Sequence, residues 1–188
     1  MKTRTWHNVL DRSTWARGPW DDEPDKMQWA DEATGLPCLA VRHPMSGHWS
    51  GYVGVRPGHP LHGAKIGDDG QRFYDLVRDL DVHGGVNCGT ACKRWPEAEG
   101  GIAVGICHEP DEGEPDDLWW LGFDAMHAWL DEWPTSDLVA YLTRLGVPQD
   151  GNLKHLAELE QRLARQGEYR TIEFIQAECT RLAAQLAR

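Results

Sequence analysis

Apolar residues along this chain follow two different periods. Between residues 36 and 55 they come in short blocks, "LPCLAVRH" and "HWSGYVGV", parted by the turn composition "PMSG". Short apolar runs bounded by Pro and Gly read as strands, and two joined by a few turn residues read as a hairpin. After Gly70 the spacing lengthens. Phe73, Leu76, Val77 and Leu80 recur at helical intervals in "QRFYDLVRDL". "GIAVGICHEP", residues 101 to 110, predicts another strand. The acidic, proline-bearing "EPDEGEPDD" then reads as a solvated, flexible loop before "LWWLGF" returns the chain to the core.

The last third is written in the helical period. "SDLVAYLTRLG" opens on the capping residue Ser136 and stops at Gly146, and "NLKHLAELEQRLARQG" is punctuated by Asn152 and Gly167. In the terminal "YRTIEFIQAECTRLAAQL", residues Ile172, Ile175, Cys179, Leu182 and Leu186 form one apolar stripe. That stripe suits packing against a sheet. A dimer helix is the alternative, although heptads are not sustained. Residues 1–35, in contrast, are polar and acidic, and read as a loop-rich arm with one short helical turn. Trp15, Trp20 and Trp29 would pin that arm to the body by aromatic packing.

Strands followed by helices predict an α+β domain. The expected architecture is a small mixed or antiparallel sheet within residues 36–134, with the C-terminal helices of residues 135–188 packed against it. At 188 residues a single domain can bury a substantial core without staples.

Charge narrows the partners. Thirty acidic against 19 basic residues give a formal charge of −11. Broad contact with a phosphate backbone or an anionic membrane surface depends on Lys and Arg, so neither long nucleic acid nor membrane is expected. A small anionic ligand stays open, because a pocket can be locally positive inside an acidic protein. Neither a signal pattern nor a membrane-spanning run is visible. Five cysteines, an odd number, do not suggest a secreted disulfide scaffold, and a reducing cytoplasm is the expected setting.

Two stretches carry candidate chemistry. In "DLDVHGGVNCG", Gly84 and Gly85 follow His83 and permit a sharp turn with close ligand approach, so both are candidate binding positions. The lysine and Ser/Thr of a phosphate loop are missing. In "WWLGFDAMHAWLDEW", Asp124 and His127 stand three apart and would share a face if a helix begins there. Asp124 could instead cap that helix, and His127 could simply pack beside Trp120 or Trp129.

Together His83, Asp124 and His127 supply three donors suited to Zn, Mn or another divalent ion, leaving a position for water. A bound ion would lower that water's pKa and generate a nucleophile near neutral pH. Asp81 is then an orienting or proton-transfer group. A metal-free version makes His83 a general base, with Asp124 fixing the ring of His127. In a pure binding protein the same groups satisfy ligand atoms while tryptophans stack on a planar moiety.

Other motifs compete less well. Cys88, Cys92, Cys107 and His108 could form a Cys₃His zinc site, but the paired CxxC knuckles are missing. Cys88 in "GGVNCG" is the best location for a thiol nucleophile. His59 and His62 in "GHPLHG" read as turn residues. The carboxylates of "HEPDEGEPDD" lack the ordered spacing of a calcium loop.

Taken together, "GYVGVRPGHPLHG", "DVHGGVN", "WWLGFDAMHAWLDE" and "YRTIEFIQAECTRLAAQL" resemble a family of small, mostly uncharacterised bacteriophage and bacterial proteins, over roughly residues 36–188. Val86 and Asn87 depart from that family's usual pair after HGG, and Ala125 stands where a cysteine is frequent. The resemblance implies a phage setting, with the host-cell cytoplasm as compartment. Three activities fit it: metal-assisted hydrolysis of a small phosphorylated or nucleotide-like ligand, capture of a host signalling nucleotide without turnover, or binding of a host protein. Small-ligand binding with metal-assisted hydrolysis is the expectation carried forward.

Overall fold

The computed structural model describes residues 1–13, 15–44, 46–66, 70–92, 105–127, 131–132, 134, 155 and 167–188. It is an α+β fold built on a six-stranded antiparallel sheet. The strands are β1 (Arg4–Trp6), β2 (Lys26–Ala30), β3 (Pro37–Arg42), β4 (Trp49–Val55), β5 (Cys88–Thr90) and β6 (Trp119–Asp124). Their spatial order is β1-β2-β3-β4-β6-β5, and every neighbouring pair is antiparallel. A separate parallel pair joins β7 (Asp131–Glu132) to β8 (Glu168–Tyr169). The described α-helices include α1 (Gly70–Val77) and α2 (Ile172–Leu186).

The β3–β4 hairpin falls where the two apolar runs and the turn between them place it. Cys38 and Ala40 of β3, with Trp49, Val53 and Val55 of β4, belong to the main core beneath α2. Leu39, Val41 and Tyr52 point the other way, into a smaller cluster with Leu118 and Trp120. This alternation is the period-2 geometry of a strand. Gly51 lets the helix approach. A Cβ there would lie 2.5 Å from the Phe123 ring and 2.9 Å from Cys179 Sγ.

Helix α2 buries the stripe read from its sequence: Ile172, Ile175, Cys179, Leu182 and Leu186, joined by Ala183. Thr171 caps it by accepting from the Phe174 amide at 3.3 Å. Glu23 Oε1 accepts from Ile172 N at 2.9 Å and satisfies a further N-terminal amide. In α1, Phe73 and Val77 are buried. Leu76 is 48% exposed, whereas Leu80, just beyond the helix, is partly buried against the main core.

Residues 1–35 depart from the expected loop-rich arm. They supply two strands of the sheet, β1 and β2, along with one helical turn at Pro19–Asp22. Lys26 and Gln28 disguised β2, since both are polar yet fully buried. Trp20 and Trp29 are buried, and Trp15 lies 5.0 Å from the Arg12 guanidinium and 5.6 Å from that of Arg42. All three therefore pack as anchors.

The segment is locked by ions as well. Arg42, 0% exposed, donates to Glu23 at 2.5 Å, to Tyr169 Oη at 2.7 Å and to the Gly47 carbonyl at 2.7 Å, and stacks 4.2 Å from the Trp49 ring. Arg12 pairs with buried Asp25.

A strap, residues 105–118, covers the sheet face opposite α2. Ile106 makes only an isolated bridge, so the expected strand over 101–110 is not seen where the chain is described. Nor is the acidic run free. Gln28 exchanges two hydrogen bonds with the Glu109 backbone, Arg4 pairs with Glu109 and Asp111, and Arg56 holds Glu114 at 2.7 Å. Of the expected helices over 136–146 and 152–167, only residue 155, which is helical, and residue 167 are described. Among the described residues no helix is long and apolar enough to cross a membrane.

Candidate functional site

The two motif-bearing stretches meet at the end of β6. Val82–Gly85 forms a tight turn in which Gly85 N donates to the Val82 carbonyl at 2.9 Å. Gly84 and Gly85 have φ of +66° and +82°, a region open to glycine at little cost. Buried Val86 anchors the turn in the core, and Asn87 N reaches the Gly122 carbonyl at 2.9 Å. Asn87 Nδ2 then donates to Asp124 Oδ2 at 2.6 Å, tying the turn to the strand end.

His127 lies across that turn. A Cβ on Gly84 would sit 2.2 Å from the His127 ring, so the contact depends on glycine. The His83 and His127 rings meet edge to face at 5.1 Å, and His83 meets Phe174 in the same way at 5.2 Å. Arg170 continues the row, its guanidinium 4.9 Å from the Phe174 ring. Imidazole, imidazole, phenyl and guanidinium thus follow one another from the glycine turn to the start of α2.

Three groups on α2 set the turn in place. Glu178 accepts from His83 N at 2.6 Å, while Gln185 clasps the Asp81 backbone through two hydrogen bonds of 2.8 Å each. Arg181 binds the Asp81 carboxylate at 3.0 Å and also Glu178 at 2.5 Å. No motif flagged these residues. Their only signal is the 178–181–185 spacing, which places them together beside the apolar stripe.

Some expected contacts are absent. Asp81 makes its described contacts with α2 rather than with either imidazole, and its side chain is 79% exposed, so it orients neither ring. Asp124 ends a strand and does not begin a helix. Alternation along β6 sends Leu121 and Phe123 toward α2 and Asp124 to the opposite face, beside Ser50, its register partner. Its oxygens are taken by Asn87 Nδ2 and, at 3.1 Å, by Met126 N, so the carboxylate shapes the bend that follows β6, and its described contacts do not include the His127 ring. Among the described residues no group of three His, Cys, Asp or Glu side chains is arranged to hold a metal ion. Gly85 has its amide committed to the turn, although the space beyond its Cα is open.

The remaining candidates are structural. His59 donates to the Leu186 carbonyl at 2.9 Å, and His62 to that of Asp117 at 3.1 Å, tying their loop to α2 and the strap. Cys92 and Cys107 form a disulfide, which removes both from the Cys₃His alternative. Cys38, Cys88 and Cys179 are not in disulfides. Cys88 lies within β5 opposite Gly122.

One cluster was missed altogether. His43 and His48, flanking the hairpin turn "HPMSGH", stack at 5.0 Å with their planes 9° apart. The Ser46 hydroxyl lies 2.6 Å from His48 Nδ1 and 3.3 Å from His43 Nδ1. Burial pushes His43 below its ordinary pKa, with the Asp124 charge opposing. Two histidines five apart across a turn are the available sign in the sequence, and the turn composition between them masks it.

Comparison with protein-family models, curated proteins and solved structures gave no match to this chain.

Proposed function

We propose that the protein binds a small phosphorylated or nucleotide-like ligand along the row His127, His83, Phe174 and Arg170, beside the Gly84–Gly85 turn. The carrying observation is the imidazole pair at 5.1 Å, continued by an aromatic ring and a guanidinium in a chain of net charge −11. Imidazole and guanidinium N–H groups recognise phosphate oxygens, while Phe174 offers a face or edge to a planar base. Open space beyond Gly85 leaves room for an approaching ligand. Capture without turnover is the simpler form of this reading. Metal-assisted hydrolysis requires a third donor besides the two imidazoles, and Zn or Mn would then have to draw it from elsewhere, including the ligand itself.

Histidine-selective NMR with adenosine monophosphate and with pyrophosphate tests the proposal. The His83 and His127 ring resonances should move together and saturate. Alanine at either position should weaken binding by about tenfold or more, ~1.4 kcal/mol, with the unfolding transition unchanged. Rings unmoved by millimolar probe would reduce the pair to packing. Recovering either probe intact after incubation with Zn or Mn would leave capture and remove hydrolysis.

A further inference from the structure

The strap side of the sheet holds polar atoms that the protein itself does not satisfy. His108 Nδ1 and Nε2 and Trp120 Nε1 are buried without a hydrogen-bond partner among the described residues. His108 is 1% exposed and Trp120 0%, and their rings meet at 5.7 Å with an interplanar angle of 62°. Unsatisfied buried polar atoms are rare and costly, so their presence on two touching rings points to a partner shared between the rings.

The donor and acceptor pattern specifies that partner. An indole N–H only donates, whereas a neutral imidazole donates from one nitrogen and accepts at the other. Burial holds His108 below its ordinary pKa, which keeps the ring neutral at pH 7. Asp116 Oδ1 stands 3.7 Å from His108 Nδ1, too far for a hydrogen bond but close enough to favour the proton on that nitrogen. Nε2 is then an acceptor. The partner must accept from Trp120 and donate to His108, which an anion or an apolar group cannot do. A hydroxylic oxygen does both.

We infer that β6 and the strap enclose a binding site for one hydroxylic oxygen, water or the hydroxyl of a small neutral guest, bridging Trp120 Nε1 and His108 Nε2. Lys26 helps close the site from β2, donating to the Gly105 carbonyl at 2.8 Å and the Cys107 carbonyl at 2.5 Å. The Cys92–Cys107 bridge holds the same part of the strap. The site is separate from the His83–His127 row, which lies at the other end of β6.

The test is NMR on the full-length, isotope-labelled chain with its disulfide intact. Long-range nitrogen–proton correlations should give His108 as the Nδ1–H tautomer with Nε2 accepting. The Trp120 indole proton should show a direct, non-exchange cross-peak to a bound hydroxylic proton. Denaturing extraction and mass spectrometry separate the sources: a stoichiometric organic alcohol identifies a guest, and its absence identifies water. His108→Gln, which can still accept, should keep the cross-peak, and His108→Leu should lose it. His108 protonated at Nε2, or an indole proton without such a cross-peak in the folded wild-type chain, overturns the inference.

Discussion

The two faces of the sheet are built from different materials. Under α2 the contacts are Ile175, Cys179 and Leu182 against Val53, Leu121 and Phe123, all apolar and fully or almost fully buried. Under the strap, buried Lys26, Gln28 and His108 accompany Leu39, Val41 and Trp120. Apolar burial is nondirectional and tolerates a coarse pattern. Buried polar groups need particular partners in particular geometry. The helix face should therefore resist changes of solvent but not loss of volume. The strap face should answer to redox state and pH.

The largest effect expected is on the helix face. Leu182→Ala removes a side chain with no exposure and should cost about 2–5 kcal/mol in urea unfolding. A loss below 1 kcal/mol, about the cost of an ordinary substitution, would mean that α2 does not pack as described. Next comes the strap. Cys92 and Cys107 are 15 residues apart, and for a loop of that length the chain-entropy argument gives about 3 kcal/mol on reduction. If dithiol treatment leaves the unfolding midpoint unchanged, the bridge does not hold the strap.

A glycine test sharpens the site. Gly84→Ala combines a positive φ with a clash against the His127 ring and should cost about 1–3 kcal/mol, with His127 resonances displaced. Unmoved resonances would show that the ring does not lie on the turn.

The pH effect should be smaller. Burial lowers the pKa of both His43 and His108 from the ordinary 6.5. The unfolded chain then binds protons that the folded chain resists. The contribution of these two histidines should be fully present above about pH 6.5 and decline as pH falls from there toward the folded values. His108→Leu should flatten part of that decline, leaving the share of His43. An undiminished slope in the variant would exclude His108 as a contributor.

The sequence made the helix face legible for a physical reason. The stripe Ile172, Ile175, Cys179, Leu182 and Leu186 and the short apolar runs of β3 and β4 are local signals, and neither needs a distant residue to be interpreted. The candidate site was legible in part. "HGG" announced a turn and His127 a nearby ring, and the two meet. Asp124 was misplaced because a spacing of three implies a shared face only on a helix, and here the residue ends a strand. Lys26 and Gln28 hid β2 because their burial becomes affordable only once the strap carbonyls arrive from about eighty positions away.

Local order thus determined the α+β class, the hairpin and the terminal helix from neighbouring residues alone. Tertiary structure decided the rest. It drew residues 1–35 into the sheet, joined Cys92 to Cys107 and set Arg42 between Glu23 and Tyr169. It also laid His127 on Gly84 and sealed His108 against Trp120. Each of these depends on directional or covalent partners far apart in the chain, and periodicity carries no information about which distant groups will meet.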